Sequence, residues 1–257
     1  ELTNHYAHSK WLAIDEGVDA FLCSHVIQEL TAKYKKTPSF IVVDHYALGA
    51  PWESEFNQSI PVLSVDDLSD RQHNCTWLVD QTFGKQAKDY ANFVNSDCIM
   101  FIGAEYALLR TEFYNIKKVF ERFPPATNNK LKVLITLGGV DLDNVTGQLL
   151  SLLSETTLVD QLELTIVAGG ANPHVVNLKI QCAELPCEAK LIVNTNEMAL
   201  LIANHDVAIG AAGSTSWERC ALSLPSLTVV LAENQKTIAK NLDLVGASIN
   251  LGHIEDI

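Results

Sequence analysis

Short apolar runs alternate along the chain with segments in which apolar residues recur every three or four positions. The runs Phe40–Asp44, Lys132–Leu137, Leu162–Val167 and Val207–Ile209 are continuous and flanked by polar turns, as is typical of strands buried in a parallel sheet. Shorter runs predict further strands at Pro61–Asp66, Asn74–Asp80, Ile99–Ile102, Leu191–Val193, Ser226–Leu231 and Ser248–Leu251.

Helical periodicity and capping signals predict the elements between the strands. Asp15 is placed as an N-cap, and after it Val18, Leu22, Val26 and Leu30 form one stripe of an amphipathic helix that ends near Lys33–Lys36. A short helix is expected to open at Pro51, because proline is tolerated in a first turn. The remaining helices are predicted over Thr111–Arg122, Asp143–Thr156, Glu197–Ala203 and Lys236–Val245.

Strands that alternate with helices predict an α/β protein built from two Rossmann-type, parallel-sheet lobes. The segment Phe123–Asn129 contains two consecutive prolines and cannot continue a helix, so we expect a linker over residues 124–130. Residues 1–123 would then form the first lobe, and residues 131–257 would form the second.

The segment from Ala208 to Gln235 carries the strongest functional signal. An apolar strand runs into the small residues 210–213, and Ser214-Thr215 then stands where a helix N-cap belongs. Small residues let a backbone approach an anion closely, and the N–H groups and dipole of a new helix favour negative charge. Glu218, in the first turns, could accept hydrogen bonds from sugar hydroxyls. The segment indicates either a nucleotide diphosphate-sugar site or a plain strand–turn–helix of an α/β domain.

Polar clusters follow five of the predicted strands, and ligands of two-lobed parallel-sheet proteins bind beyond the carboxyl ends of the strands. These clusters are Asp44-His45-Tyr46, Asp66-Asp67, Gly138–Asp141, Asn194–Met198 and Gly210–Glu218. We therefore expect the ligand in the cleft between the lobes. His45 and Tyr46 could supply an acid–base pair and a sugar-binding hydroxyl. Alternatively, Asp44 caps a turn and the two aromatic side chains pack.

Signals for metals and common cofactors are weak. Asp66-Asp67 could bind a metal, but no third ligand has a recognisable spacing, so a cap or loop role is favoured. His5 and His8 lack further ligands at zinc spacing. Gly138-Gly139 is too short for a dinucleotide fingerprint or a P-loop, and no G-x-S-x-G elbow occurs. We expect no metal and no cofactor.

Composition and charge limit the kinds of partner that the protein is expected to bind. Hydrophobic residues make up 47% of the 257 residues, and the formal net charge of −13 argues against nucleic acid or an anionic membrane as the main partner. No apolar run approaches the roughly 20 residues of a membrane span and no secretory signal occurs, so a cytoplasmic location is expected. The six cysteines include no C-x-x-C pair. Free thiols are favoured over a Cys182–Cys187 disulfide.

Four segments resemble the UDP-2,4-diacetamido-2,4,6-trideoxy-β-L-altropyranose hydrolases of pseudaminic acid biosynthesis. They are VVDHYALGAPWE (Val42–Glu53), VLSVDDLSDRQHNC (Val62–Cys75), ITLGGVD (Ile135–Asp141) and AIGAAGSTSWERCALSLPSL (Ala208–Leu227). The resemblance runs through almost the whole chain. It implies the two-lobed GT-B fold and a similarity to the MurG glycosyltransferase. It also implies a metal-independent hydrolysis in which water attacks the anomeric carbon and UDP leaves.

The resemblance also implies roles for individual residues. Asn196-Glu197-Met198 would lie against the uracil, Gly213-Ser214-Thr215 would contact the diphosphate, and Glu218 would bind the ribose hydroxyls. The polar pair Asn234-Gln235 would face the sugar and phosphates, and Tyr46 of the first lobe would lie near the anomeric carbon, with His45 beside it. The implied UDP-binding set is Gly138, Gly139, Met198, Gly213, Ser214, Thr215, Glu218, Asn234 and Gln235.

One departure from the family pattern leaves alternatives open. The family begins with a strand, a G-x-G-H loop and a helix, and the His of that loop is the expected general base. This sequence contains no Gly-x-Gly-His, so we expect an N-terminally incomplete first lobe and a chain end clipped by about a helix. The alternatives are a GT-B glycosyltransferase that uses a UDP-sugar donor and a non-catalytic nucleotide-sugar binding module.

Overall fold

The computed structural model describes residues 8–122 and 130–254, and its strands form two sheets in which all neighbours run parallel. The first sheet has the order β1-β2-β3-β4, with strands Ile41–Val43, Val62–Val65, Trp77–Asp80 and Ile99–Ile102. The second has the order β10-β9-β8-β5-β6-β7. Its strands, from β5 to β10, are Leu131–Thr136, Leu162–Ala168, Glu188–Val193, Val207–Ala211, Ser226–Val230 and Ile249–His253. The predicted α/β class with two parallel sheets is confirmed.

Eight α-helices are described: α1 Glu16–Tyr34, α2 Ala50–Phe56, α3 Thr111–Lys117, α4 Val145–Ser154, α5 Val175–Glu184, α6 Met198–Asn204, α7 Thr215–Ala221 and α8 Gln235–Leu244. Four short 3₁₀ segments accompany them, at Ser9–Trp11, Ala87–Tyr90, Ala104–Tyr106 and Val159–Gln161. Two predictions were wrong in detail. Helix α3 ends at Lys117 rather than at Arg122, and α5 was not predicted.

Helix α1 begins where the sequence placed it, because the Asp15 side chain accepts a hydrogen bond from the Gly17 N–H at 2.9 Å. The predicted apolar stripe, however, is not the packed face: Val18, Leu22 and Val26 are each about half exposed. The buried side of α1 instead carries Glu16 and Ala20 and packs on α2. Among the described residues, no helix combines the length and the apolar character needed to cross a membrane.

The strand order of the second sheet creates a topological switch point between β5 and β8. From β5 the chain proceeds through α4 to β6 on one side, and from β8 it proceeds through α7 to β9 on the other. The loops that leave β5 and β8 therefore diverge at the carboxyl edge of the sheet, and ligands bind at such a divergence in open parallel sheets.

Helix α3 packs with the second sheet rather than with the first. Its Phe113 is 1% exposed and belongs to a core cluster with Leu134, Ile202 and Leu222. In keeping with this packing, the contacts within the chain divide it into one unit of residues 1–108 and another of residues 109–257. Of the predicted linker, residues 124–130, all but Lys130 lie outside the described part, and so the predicted lobe boundaries remain predictions.

Arg122 joins the ends of two helices in the second unit. Its guanidinium donates to the backbone oxygens of Ile202 at 2.8 Å, His205 at 2.5 Å and Leu222 at 3.1 Å. These carbonyls lie at the C-terminal ends of α6 and α7, where a helix has no partners of its own for its last oxygens.

We expect Arg122→Met to lower the free energy of unfolding by at least about 2 kcal/mol, because each of the three lost hydrogen bonds from a charged donor contributes about 1.5–3 kcal/mol, and the retained apolar stem limits further loss. Chemical denaturation measures the change. Lys117→Met, at an exposed position at the end of α3, serves as the control and should stay within about 0.5 kcal/mol. Equal effects of the two substitutions would contradict the role of Arg122.

Candidate functional site

A cavity of about 360 Å³ opens at the carboxyl edge of the second sheet, where the loops after β5, β6, β7 and β8 meet. Four of the predicted UDP-binding residues line it: Gly138, Gly139, Met198 and Thr215. The other lining residues are Thr136, Val167, Ala168, Gly169, Asn194, Thr195 and Asn196. None of these side chains is charged, so the walls offer amide, hydroxyl and apolar surface. The volume lies in the range of small-molecule sites, about 300–1,000 Å³.

Glycines allow the loops around this cavity to touch. A Cβ on Gly169 would collide with the backbone oxygen of Gly139, so no larger residue fits there unless the loop after β5 moves. The next residue, Gly170, donates its N–H to Asn194 Oδ1 at 2.5 Å. Asn194 itself adopts the left-handed conformation, with φ 54°. The two contacts together fix the loops after β5, β6 and β7 against one another.

The predicted diphosphate loop leaves β8 and enters α7. Ser214 occupies the N-cap position, as predicted, but its side chain makes no capping hydrogen bond and is exposed. Gly213 faces Gln235, whose Nε2 lies 4.0 Å from the position of a Cβ on Gly213. Gln235 also accepts a hydrogen bond from the Leu231 N–H at 3.0 Å. Asn234 is exposed at the N-cap of α8 and likewise makes no side-chain cap.

Glu218 lies on α7 and forms an ion pair that the sequence does not reveal. Its Oε1 lies 3.1 Å from Nη2 of Arg110, the N-cap residue of α3, and the same nitrogen lies 3.1 Å from Glu112. The Glu218 side chain is 16% exposed. Burial raises the pKa of Glu218 above its ordinary value, and Arg110 offsets part of the rise.

We expect Glu218→Gln to keep or raise the free energy of unfolding at pH 7. Because the folded-state pKa of Glu218 lies above the unfolded value, the stabilising contribution is present below the unfolded pKa and is lost as pH rises through the folded pKa. At pH 7 the variant with the neutral amide should therefore be at least as stable as the unmodified chain. A carboxylate that merely stabilised the helix dipole would instead make the substitution destabilising by about 0.3–1 kcal/mol. Urea denaturation at pH 7 separates the two outcomes.

In the first unit, Tyr46 and His45 follow β1. Burial raises the pKa of the Tyr46 hydroxyl far above its ordinary value, and the negative charge of Asp67 adds to the rise. Burial also raises the pKa of Asp67, although Tyr46 acts against it. His45 accepts the Ala47 N–H at Nδ1, with a distance of 3.1 Å. Any proton exchanged by His45 in this arrangement must move through Nε2.

Asp66, at the end of β2, lies in a buried ion pair. Its Oδ1 is 2.5 Å from Arg71 Nη1, and its Oδ2 accepts the Tyr90 hydroxyl and the Ser69 N–H, each at 2.8 Å. Burial alone would raise the pKa of Asp66, but Arg71, His73 and these donors together hold it below the ordinary value. Asp66 therefore has a loop-holding role, as the sequence favoured.

A second buried carboxylate, Glu53, lies on α2 with no exposed surface. It accepts hydrogen bonds from the Ser64 hydroxyl and the Asn74 N–H, and its Oε1 is 2.8 Å from His73 Nδ1. Together with Asp66 and Arg71, these groups make polar contacts with one another at the carboxyl side of the first sheet. Asp67 Oδ1 and His73 Nε2 are buried there without a hydrogen-bond partner among the described residues.

Within residues 8–122 and 130–254, no group of three or more His, Cys, Asp or Glu side chains is placed to hold a metal ion. His5 lies outside the described residues. Sequence reasoning did not assign site roles to Gly169, Arg110 or Arg219. A signal existed for Gly169, which directly follows β6 just as the other polar clusters follow their strands. Arg110 had no such signal, because its contact with Glu218 spans 108 residues.

Comparison with known proteins supports the resemblance seen in the sequence. No protein-family model matches the chain. The chain is 26% identical over 221 residues to UDP-2,4-diacetamido-2,4,6-trideoxy-beta-L-altropyranose hydrolase of Campylobacter jejuni, which covers 85% of this chain and 76% of that protein. It is also 26% identical over 160 residues to the spore coat polysaccharide biosynthesis protein SpsG of Bacillus subtilis. That match covers 62% of this chain and 46% of SpsG, so the chain spans less than half of that relative.

Solved structures share the fold. MurG of Acinetobacter baumannii matches with a TM-score of 0.55 and 14% identity, over 92% of this chain and 65% of that one. MnaA of S. aureus, in a co-structure with UDP, matches with a TM-score of 0.55 and 13% identity, over 94% of this chain and 67% of that one. At such identities the likeness establishes the fold alone. It confirms the predicted α/β fold of the GT-B, MurG-like type.

Proposed function

We propose that the chain binds the UDP moiety of a UDP-sugar in the cavity at the carboxyl edge of the second sheet. The observation that carries this proposal is the convergence of four predicted UDP-binding residues, Gly138, Gly139, Met198 and Thr215, on one cavity beside the switch point. The sequence similarity to a UDP-sugar hydrolase supports the choice of ligand. Parallel sheets bind nucleotides at this position because the loops on the two sides of the switch point diverge there.

The uncharged walls suit the base and ribose of a nucleotide. Met198 and Val167 offer apolar surface for a flat ring, and Asn194 and Asn196 offer amide donors and acceptors for its polar edge. Glu218, on the helix that begins at the cavity-lining Thr215, is the proposed acceptor for the ribose hydroxyls. Its present partner, Arg110, is 46% exposed and can exchange with solvent.

For the reaction we propose hydrolysis of a UDP-linked diacetamido-trideoxy sugar. Water would form a new bond to the anomeric carbon while the bond from that carbon to the phosphate oxygen breaks, releasing UDP and free sugar. For Tyr46 of the first unit we propose the role that the sequence resemblance implies, as a group that acts on the sugar. The expected G-x-G-H general base does not occur in this sequence, so the proposal for the chain itself rests on nucleotide binding.

Titration calorimetry of the chain with UDP tests the proposal. We expect binding that survives a chelator, because the cavity walls contain no carboxylate or imidazole. Asn196→Ala should weaken UDP binding, whereas Asn177→Ala, in a separate groove beside α4 and α5, should leave it unchanged. Failure to bind at millimolar UDP, or equal effects of the two substitutions, would contradict the site.

Two further measurements refine the assignment. Glu218→Ala should weaken UDP roughly 30-fold if its carboxylate accepts two ribose hydrogen bonds, at about 1.4 kcal/mol per factor of ten. An unchanged dissociation constant would remove Glu218 from the site. Incubation with a UDP-sugar and no acceptor separates hydrolysis, which releases free sugar, from glycosyl transfer, which requires an acceptor.

A further inference from the structure

Arg219 is a buried cation directly beneath the loop that ends β8. The side chain is 1% exposed. Its Nη2 donates to the Ala211 carbonyl at 2.9 Å and to the Ser216 hydroxyl at 3.1 Å, and its Nη1 donates to the Thr215 hydroxyl at 3.2 Å. A Cβ on Gly210 would collide with Nη1, so the strand approaches this guanidinium as closely as a glycine allows.

The charge of Arg219 has no carboxylate partner among the described residues. Each of its three acceptors is a neutral oxygen, and its Nε is buried without a partner in the described part of the chain. The neighbouring Glu218 forms its ion pair with Arg110, and its charge favours the Arg219 cation without a direct contact. Burial lowers the pKa of Arg219 to about 10, which still leaves the guanidinium protonated at neutral pH. A buried cation whose hydrogen-bond acceptors are all neutral is costly, and a bound anion would offset part of that cost.

Thr215 connects this cation to the cavity. Its hydroxyl accepts from Arg219, and the same residue lines the cavity wall. The lining contains no Lys or Arg, and α7 has only seven residues, so its dipole is small. A ligand with a doubly charged group at this edge therefore needs a source of positive charge behind the wall, and Arg219 is placed to supply it.

We infer that Arg219 is a positioning residue for an anionic group, of the diphosphate class, bound against the loop 211–215. It holds the loop through the Ala211 carbonyl and the Thr215 hydroxyl, and it supplies the positive field that distinguishes a charged ligand from a neutral one. This inference rests on the proposed nucleotide site. It adds that the preference for UDP over uridine originates in a residue that the ligand does not touch.

The experiment measures binding of UDP, uridine and inorganic pyrophosphate to the unmodified chain and to Arg219→Met, Arg219→Gln and Arg219→Lys. We expect Arg219→Met and Arg219→Gln to weaken UDP at least tenfold and to change uridine by less than about twofold. Arg219→Lys keeps the charge and should retain most of the preference for UDP. Arg122→Met is the matched control: it removes a guanidinium from the same unit and should lower stability without changing the ratio of UDP to uridine affinity.

Several outcomes would overturn the inference. An unchanged ratio in Arg219→Gln, or equal losses of UDP and uridine affinity, would make Arg219 a structural residue only. If Arg219→Met fails to fold, the comparison of Arg219→Gln with Arg219→Lys decides. If the unmodified chain binds no UDP, the proposed function fails. The role of Arg219 in anion binding is then tested separately with pyrophosphate. A rise in melting temperature with pyrophosphate that Arg219→Gln abolishes would support it, and the same response in both proteins would overturn it.

Discussion

Asp66→Asn is expected to lower the free energy of unfolding by about 3 kcal/mol, because it removes the buried counter-ion of Arg71 and leaves that cation only the partly exposed Asp70. Both side chains are almost inaccessible, at 0% for Asp66 and 2% for Arg71. The pKa of Asp66 is lowered in the folded state, so its contribution is complete above the unfolded pKa of about 3.9 and is lost as pH falls through the folded pKa. In urea unfolding at pH 7, the free energy of unfolding of Asp66→Asn should therefore differ strongly from that of the unmodified chain. Near pH 3 the difference should be smaller.

The same arginine provides the control. Asp70 lies 3.3 Å from the same Arg71 nitrogen, but its side chain is 39% exposed. Exposed ion pairs contribute about 0–1 kcal/mol, so Asp70→Asn should change the free energy of unfolding by no more than that. If the two substitutions had equal effects, the burial of Asp66 would not be what makes its ion pair important.

Gly169→Ala is expected to weaken UDP binding about tenfold or more and to lower the free energy of unfolding by about 1–3 kcal/mol. The added methyl group would occupy the place of the Gly139 backbone, so the loop after β5 has to move away from the loop after β6. Both glycines line the cavity, and their displacement changes its walls. Calorimetry with UDP and chemical denaturation measure the two effects.

Gly139→Ala is the matched substitution on the other side of this contact. No heavy atom lies within 4 Å of a Cβ at Gly139, and its φ lies outside the left-handed region. Gly139→Ala should therefore change the free energy of unfolding by less than about 1 kcal/mol. Similar destabilisation by both substitutions would show that the two loops do not meet as closely as described.

The carboxyl sides of the two sheets differ in a way that bears on function. In the first sheet, Asp66, Glu53 and Tyr90 are occupied by partners within the protein. In the second sheet, the loops leave a cavity with uncharged walls and a buried cation behind it. Groups that already satisfy one another stabilise a loop, whereas open polar surface is available to a ligand. For this reason we propose that the nucleotide binds to the second unit.

The sequence by itself determined the fold class, the position of most strands and the edge of the sheet at which polar residues collect. Strands such as β5 and β6 are encoded locally, since a continuous apolar run can be buried on both faces only in a covered parallel sheet. The cap at Asp15 is also local, because donor and acceptor lie two residues apart. Four residues of the cavity, to which the family resemblance gave UDP-binding roles, belong to polar clusters that follow predicted strands.

Only the tertiary structure decided which side chains meet. The apolar stripe of α1 predicted a packed face, yet the helix packs through Ala20, because the position of α2 selects the buried side. Gly169 and Gly139 meet because their loops follow the adjacent strands β6 and β5. Arg219 lies under Gly210 because α7 packs against β8. Local periodicity specifies helices and strands, but contacts between distant residues depend on how those elements pack. It is this packing that places the buried Arg219 behind the cavity wall.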